Sequence, residues 1–126
     1  MYFAAVLDDN SKRELQKFNF DSFTGITKHG HHVTLIPPPE FKKNDPRLKF
    51  EGKPVEFKVD AIGNWKNGVF ALRVDPRDPL VRLRKKGVAH ITLATKKGFA
   101  PKDSNEIRHW SPIKPLTLKA TLQVVK

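Results

Sequence analysis

Two of the five histidines in this chain stand in the same four-residue setting, His32-Val33-Thr34-Leu35 and His90-Ile91-Thr92-Leu93. On a β-strand, residues two apart point to one side while their neighbours point to the other. Each segment would therefore present an imidazole and a hydroxyl together, with aliphatic residues on the reverse face to anchor them. Histidine is the side chain whose ordinary pKa lets a pair share general acid and base work near neutral pH. Two facing histidines suit the hydrolysis of a cyclic phosphodiester. One takes a proton from water, the other protonates the leaving alkoxide, and no metal is required. Threonine hydroxyls can donate to the non-bridging phosphate oxygens, and a nearby Lys or Arg offsets the charge that accumulates there. One His-x-Thr strand reads as a structural histidine; two in a chain of 126 residues read as a site. His32 and His90 are the candidate catalytic pair, and Thr34 and Thr92 the candidate phosphate-binding pair.

The charge distribution is consistent with a phosphate-bearing partner. The net charge is +11, and it is uneven: ten basic against nine acidic residues in 1–63, fourteen against four in 64–126. Basic charge loaded onto one half of a small domain is the electrostatic footprint of a nucleic-acid-binding surface. Arg84, Lys85 and Lys86 lead into the second motif and Lys96 and Lys97 lead out of it, while Lys28 precedes the first. These six are candidate RNA contacts. Phe99 and Trp65 are candidates for stacking on unpaired bases. His29, His31 and His32 invite a metal reading, but alternation sets His29 and His31 opposite His32, and no carboxylate or cysteine lies nearby. We expect neither metal nor cofactor. The absence of cysteine excludes disulfides, zinc fingers and thiol nucleophiles. No apolar run approaches the roughly 20 residues of a membrane span. The expectation is a cytoplasmic, monomeric protein that does not engage membranes.

Positioning the two motifs requires strands. Tyr2–Leu7 reads as a buried strand, with cap residues Asp8 to Ser11 leading into a short helix over Lys12–Phe18. A Gly-containing turn then precedes a strand over Gly25–Ile36, stopped by Pro37-Pro38-Pro39. Residues 40–52 read as loop. Pro54–Ile62 and Val69–Val74 form a hairpin around Gly63–Gly68, and Asp75–Leu83 holds at most a short helix. Val88–Thr95 and Leu116–Val125 complete the strands, and Ser104 and Asn105 read as caps for a segment at Glu106–Trp110. One α+β domain over residues 1–126, with a largely antiparallel sheet and few short helices, is the expected class.

The paired motifs resemble the signature of the 2H phosphoesterase superfamily, two His-hydrophobic-Thr/Ser-hydrophobic segments on strands. The layout matches over nearly the whole chain. His90 to Thr95 followed by Pro101-Lys102-Asp103-Ser104-Asn105 resembles the cyclic phosphodiesterase domain of fungal and plant tRNA ligases, where a Pro-x-x-Ser-Asn stretch follows the second motif. The resemblance implies a bilobal fold of two sheets with pseudo-twofold symmetry around a central cleft. It also implies metal-independent hydrolysis of RNA 2′,3′-cyclic phosphate ends to a 2′-phosphate, with one histidine as acid and the other as base. On sequence alone either can take either role; our working assignment is His32 as acid and His90 as base. Compact 2H proteins also include phage hydrolases of cyclic oligonucleotide defence signals, and a non-catalytic RNA-binding module on the same fold is a third reading.

Overall fold

The C-terminal segment, whose apolar and polar residues alternate most cleanly, lies at the centre of the fold. It forms β7 (Trp110–Val125), which pairs with β1 (Tyr2–Leu7) on one side and β4 (Pro54–Trp65) on the other. The computed structural model describes residues 1–20 and 25–126; most of the turn expected ahead of Gly25 lies outside them. The remaining elements are α1 (Asp9–Leu15), β2 (Ile26–Lys28), β3 (His32–Ile36), β5 (Val69–Val74) and β6 (His90–Lys96), with short 3-10 helices at Pro46–Phe50, Pro79–Leu83 and Pro101–Glu106. The architecture is α+β, and every strand pairing is antiparallel.

The strand order is β2-β6-β5-β4-β7-β1-β3, one hydrogen-bonded sheet where two were expected. The reason is the reach of β7. Its 16 residues pair with β4 from Pro54 to Gly63 and with all of β1, joining the two halves of the chain. Pro112 and Pro115 do not end this strand, because opposite Val59–Ala61 of β4 the pairing slips, β7 taking the four steps from Leu116 to Pro112, and such irregularities tolerate residues that cannot donate. The sheet curls, so that β3 at one edge comes against β6 near the other.

The segment between β2 and β3 joins the two ends of this curl. Lys28 pairs with Ala94 of β6, whereas His32 pairs with Val6 of β1. Between them the His29 N–H donates to the Leu93 carbonyl at 2.7 Å and the His31 carbonyl accepts from the Leu7 N–H at 2.9 Å. The single strand expected over Gly25–Ile36 is thus two strands serving opposite ends of the sheet. Gly30, at φ +96°, makes the break, in a conformation costly for any residue with a Cβ.

Three other boundaries move. The hairpin turn shrinks to Lys66, Asn67 and Gly68, the first two at positive φ (53° and 52°), which matches the twist of the flanking strands. The first helix starts earlier than Lys12, because the Asp8 carboxylate accepts from the Ser11 N–H at 2.8 Å and caps it there. Pro46–Phe50, in the expected loop, is a 3-10 turn capped by Asp45. No helix among the described residues is long and apolar enough to cross a membrane.

Candidate active site

The two motifs open their strands in the same way: His32 is the first residue of β3 and His90 the first of β6. Val33, Leu35 and Ile91 are fully buried and Leu93 nearly so. His32, Thr34, His90 and Thr92 are half-buried on the opposite face. Each aliphatic anchor contributes roughly 1.5–3 kcal/mol on burial. A one-residue slip of either strand would turn histidine into the core and aliphatics out, so the register is strongly specified.

Because the sheet curls, these faces meet. His32, Thr34, His90 and Thr92 line a single cavity of about 240 Å³, together with Arg84, Lys102 and Asn105. His29 and His31 line it too, which corrects their expected placement opposite His32; the turn at Gly30 breaks the strand alternation on which that expectation rested. Among the described residues, no group of three or more His, Asp or Glu side chains is arranged to hold a metal ion.

The His90 ring is fixed. Its Nδ1 lies 2.7 Å from the Val88 carbonyl, which can only accept, so Nδ1 carries the hydrogen and Nε2 presents its lone pair. Burial pushes the imidazole down to about 4, with Arg84 and His32 adding to the shift and the bond to Val88 opposing it. At neutral pH His90 is an uncharged acceptor. The His32 ring packs at 42° against Tyr2, with centroids 5.4 Å apart, and its nitrogens have no hydrogen-bond partner among the described residues. Burial lowers it from the ordinary histidine value, helped by His31 and His29. His29 is lowered for the same first reason, and its Nε2 bonds Thr95 Oγ1 at 3.0 Å.

Arg84 is the cation at the centre of the site. Its guanidinium donates to the Thr34 carbonyl at 2.6 Å, the Lys86 carbonyl at 2.9 Å and Asn105 Oδ1 at 3.0 Å. All three acceptors are neutral, and no carboxylate pairs with it among the described residues. Burial lowers its pKa, with Glu40 opposing. The chain just before it is held by Arg47, whose guanidinium binds Asp45 (2.7 Å), Glu40 (2.6 Å) and the Leu83 carbonyl (2.8 Å). That contact keeps the Asp45 carboxyl well below the usual carboxylate range.

The 3-10 helix Pro101–Glu106 closes the side of the cavity beside β6. Ser104, fully buried, places its Oγ 2.9 Å from Thr92 Oγ1, and the Asn105 amide donates to the Lys102 carbonyl at 2.9 Å. These two residues, expected to cap a following segment, instead hold Thr92 and Arg84; the helix precedes that segment and Ile107 ends it. Ser104 and Lys102 lie in the Pro-x-x-Ser-Asn stretch that follows the second motif, whereas Arg47 carries no motif that marks it as a neighbour of the site.

The other candidate contacts scatter. Lys85 and Lys86 are exposed beside Arg84. Lys28 is exposed at the end of β2, next to His29. Lys96 and Lys97 do not bracket His90: six residues of strand put Lys96 about 20 Å along β6 from it. Trp65 and Phe99 pack edge to face at 6.0 Å and lie outside the cavity. No family model matches the chain, and no curated protein matches it.

Proposed function

We propose that this protein is a 2H-type cyclic phosphodiesterase that opens RNA 2′,3′-cyclic phosphate ends to a 2′-phosphate without a metal. The observation that carries this reading is that both His-x-Thr pairs line one cavity with Arg84. In this reading the two ends of the curled sheet act as two pseudo-symmetric lobes, each contributing one His and one Thr. His90 Nε2 takes a proton from water as the water oxygen attacks phosphorus. The bond from phosphorus to O3′ breaks, and protonated His32 gives its proton to that oxygen. Thr34, Thr92 and Arg84 hold the non-bridging oxygens, where charge builds. The cycle leaves His90 protonated and His32 neutral, and exchange with solvent resets both. The Thr92 hydroxyl donates to the Pro101 carbonyl at 3.4 Å, a long bond that a phosphate oxygen would replace while Ser104 donates to Thr92 from behind. The net charge of +11 favours a polyanionic substrate.

The test is an RNA oligonucleotide ending in a 2′,3′-cyclic phosphate, incubated in EDTA with wild type, His32→Ala and His90→Ala, with product isomers separated by chromatography. Opening to a 2′-phosphate, lost in both variants, is the expected result. No turnover by folded protein, or turnover that needs an added metal, overturns the proposal; turnover of cyclic oligonucleotides alone moves the substrate to that class.

A further inference from the structure

A second recess adjoins the phosphate cavity, and the two share His29 and His31 as a common wall. Its volume is about 540 Å³. The cavity that holds the catalytic pair, at about 240 Å³, is smaller than the roughly 300–1,000 Å³ of sites that enclose a small ligand. It has room for a cyclic phosphate and part of its ribose, so the rest of a nucleotide must lie in an adjoining space.

Among the described residues, two spaces that adjoin it can be compared. One lies past Arg84, at about 290 Å³, and is lined by Glu40, Lys86 and backbone-rich loop; it has no aromatic surface. The other, behind His29 and His31, has walls from Leu15, Phe18, Phe20 and Leu93, with Gln16 and Lys28 on its lining. Leu15, Phe20 and Leu93 are buried and Phe18 is half-buried against the core. His29 is pinned by its backbone bond to Leu93 and its ring bond to Thr95. Aromatic and aliphatic walls, with an amide and an ammonium within the same recess, suit a flat heterocycle that carries hydrogen-bonding groups on its edge.

We propose that this recess takes the nucleobase of the nucleotide whose cyclic phosphate is opened, so that the enzyme recognises a terminal nucleoside and not the ester alone. The proposal rests on the phosphodiesterase reading above. It reassigns Lys28 from the RNA backbone to the base edge, and it leaves Lys96 and Lys97 without a part in the site.

The experiment compares kcat/KM on 2′,3′-cyclic AMP, 2′,3′-cyclic UMP and a base-free ester, glycerol 1,2-cyclic phosphate. Stacking of one base against protein rings corresponds to roughly 5- to 150-fold, so both nucleotides are expected to exceed the base-free ester by that factor. In Phe18→Ala the ratio of nucleotide to base-free kcat/KM falls at least severalfold. Phe18→Leu keeps the apolar volume, and is expected to reduce the ratio in the same direction even where the alanine variant fails to fold. Equal rates on all three esters overturn the recess, as does a ratio unchanged in the folded Phe18 variants. If no cyclic ester is turned over, the enzyme reading fails, and binding decides the recess by itself. Adenosine 3′-monophosphate must then shift the ring resonances of Phe18 and Phe20, which line the recess and not the phosphate cavity, where inorganic phosphate does not, and their silence overturns it.

Discussion

Replacing Arg84 with methionine separates a charge retained for a ligand from one retained for the fold. A guanidinium has five N–H donors. In Arg84 three are occupied, by Thr34, Lys86 and Asn105, which leaves one on each Nη for an anion. Two charge-assisted bonds at about 1.5 kcal/mol each correspond to roughly a hundredfold in affinity. The cost to stability is smaller, because methionine gives up bonds to neutral acceptors but also removes a buried charge that has no carboxylate partner. We expect the unliganded variant to lose less than about 2 kcal/mol. The assay is thermal unfolding with and without inorganic phosphate, at 100 times the wild-type Kd and with matched ionic strength. At that concentration phosphate stabilises wild type by about 2.7 kcal/mol, roughly 10 °C for a chain of this size. In Arg84→Met the same concentration equals the Kd, stabilisation drops to about 0.4 kcal/mol, and the shift shrinks to roughly 1–2 °C. A variant that keeps the full phosphate shift refutes the role given to Arg84. One that loses more than about 4 kcal/mol without ligand shows the guanidinium to be structural.

On the proposed mechanism the pH dependence of kcat/KM follows from the two imidazoles: His90 as base must be neutral, so activity rises through its value of about 4, and His32 as acid must be protonated, so activity falls above a value below the ordinary 6.5. The profile measured with 2′,3′-cyclic AMP is therefore a bell on the acid side of neutrality, and a rate still rising at pH 8 contradicts it. Folding shows a related effect: with His90 depressed in the native state, the unfolded chain binds more protons between about pH 6.5 and 4. Stability measured by urea is expected to fall as pH drops through that window. Thr92→Ala raises KM about tenfold, whereas Ser104→Ala, which removes only the hydroxyl behind it, raises KM less and costs about 1 kcal/mol by urea titration. Gly68→Ala sets a methyl group 2.2 Å from the Phe99 ring, and is expected to destabilise by about 1–3 kcal/mol while leaving turnover within twofold, since neither residue lines the cavity.

Much of the strand content was legible because burial on one face leaves a period of two. Tyr2–Leu7 and Val69–Val74 agree to the residue, and the histidine and threonine pairs face away from the core as alternation requires. Local pattern failed where a long-range partner decides. Nothing near Trp110 tells that strand to continue through two prolines, because its reason lies in the slipped pairing with β4, about 50 residues away. Gly30 shows how one residue can hide a topology: read as part of one strand, it set His29 and His31 on the wrong face, and with a positive φ it brings both to the cavity. Arg84 was visible as charge, but its role depends on acceptors up to 50 residues away. Ser104 reads as a cap in any local window; its partner on β6 is a fact of tertiary structure.

The position of β1 bears on how the site comes into being during folding. β3, which carries His32, is held by β1, and β1 pairs Tyr2 with Val125 and Leu7 with Ala120. The ladder of β1 is complete only once residues 120–125 are in place. A folding chain can form the β4–β5 hairpin and add β6 early, as these are neighbours in sequence, but the half of the cavity that holds His32 and Thr34 closes only after residues 120–125 have docked on β1. Contacts of such large sequence separation slow folding. The cavity thus depends on pairing between residues more than a hundred positions apart, and its His32 side is expected to be among the last parts of the fold to form.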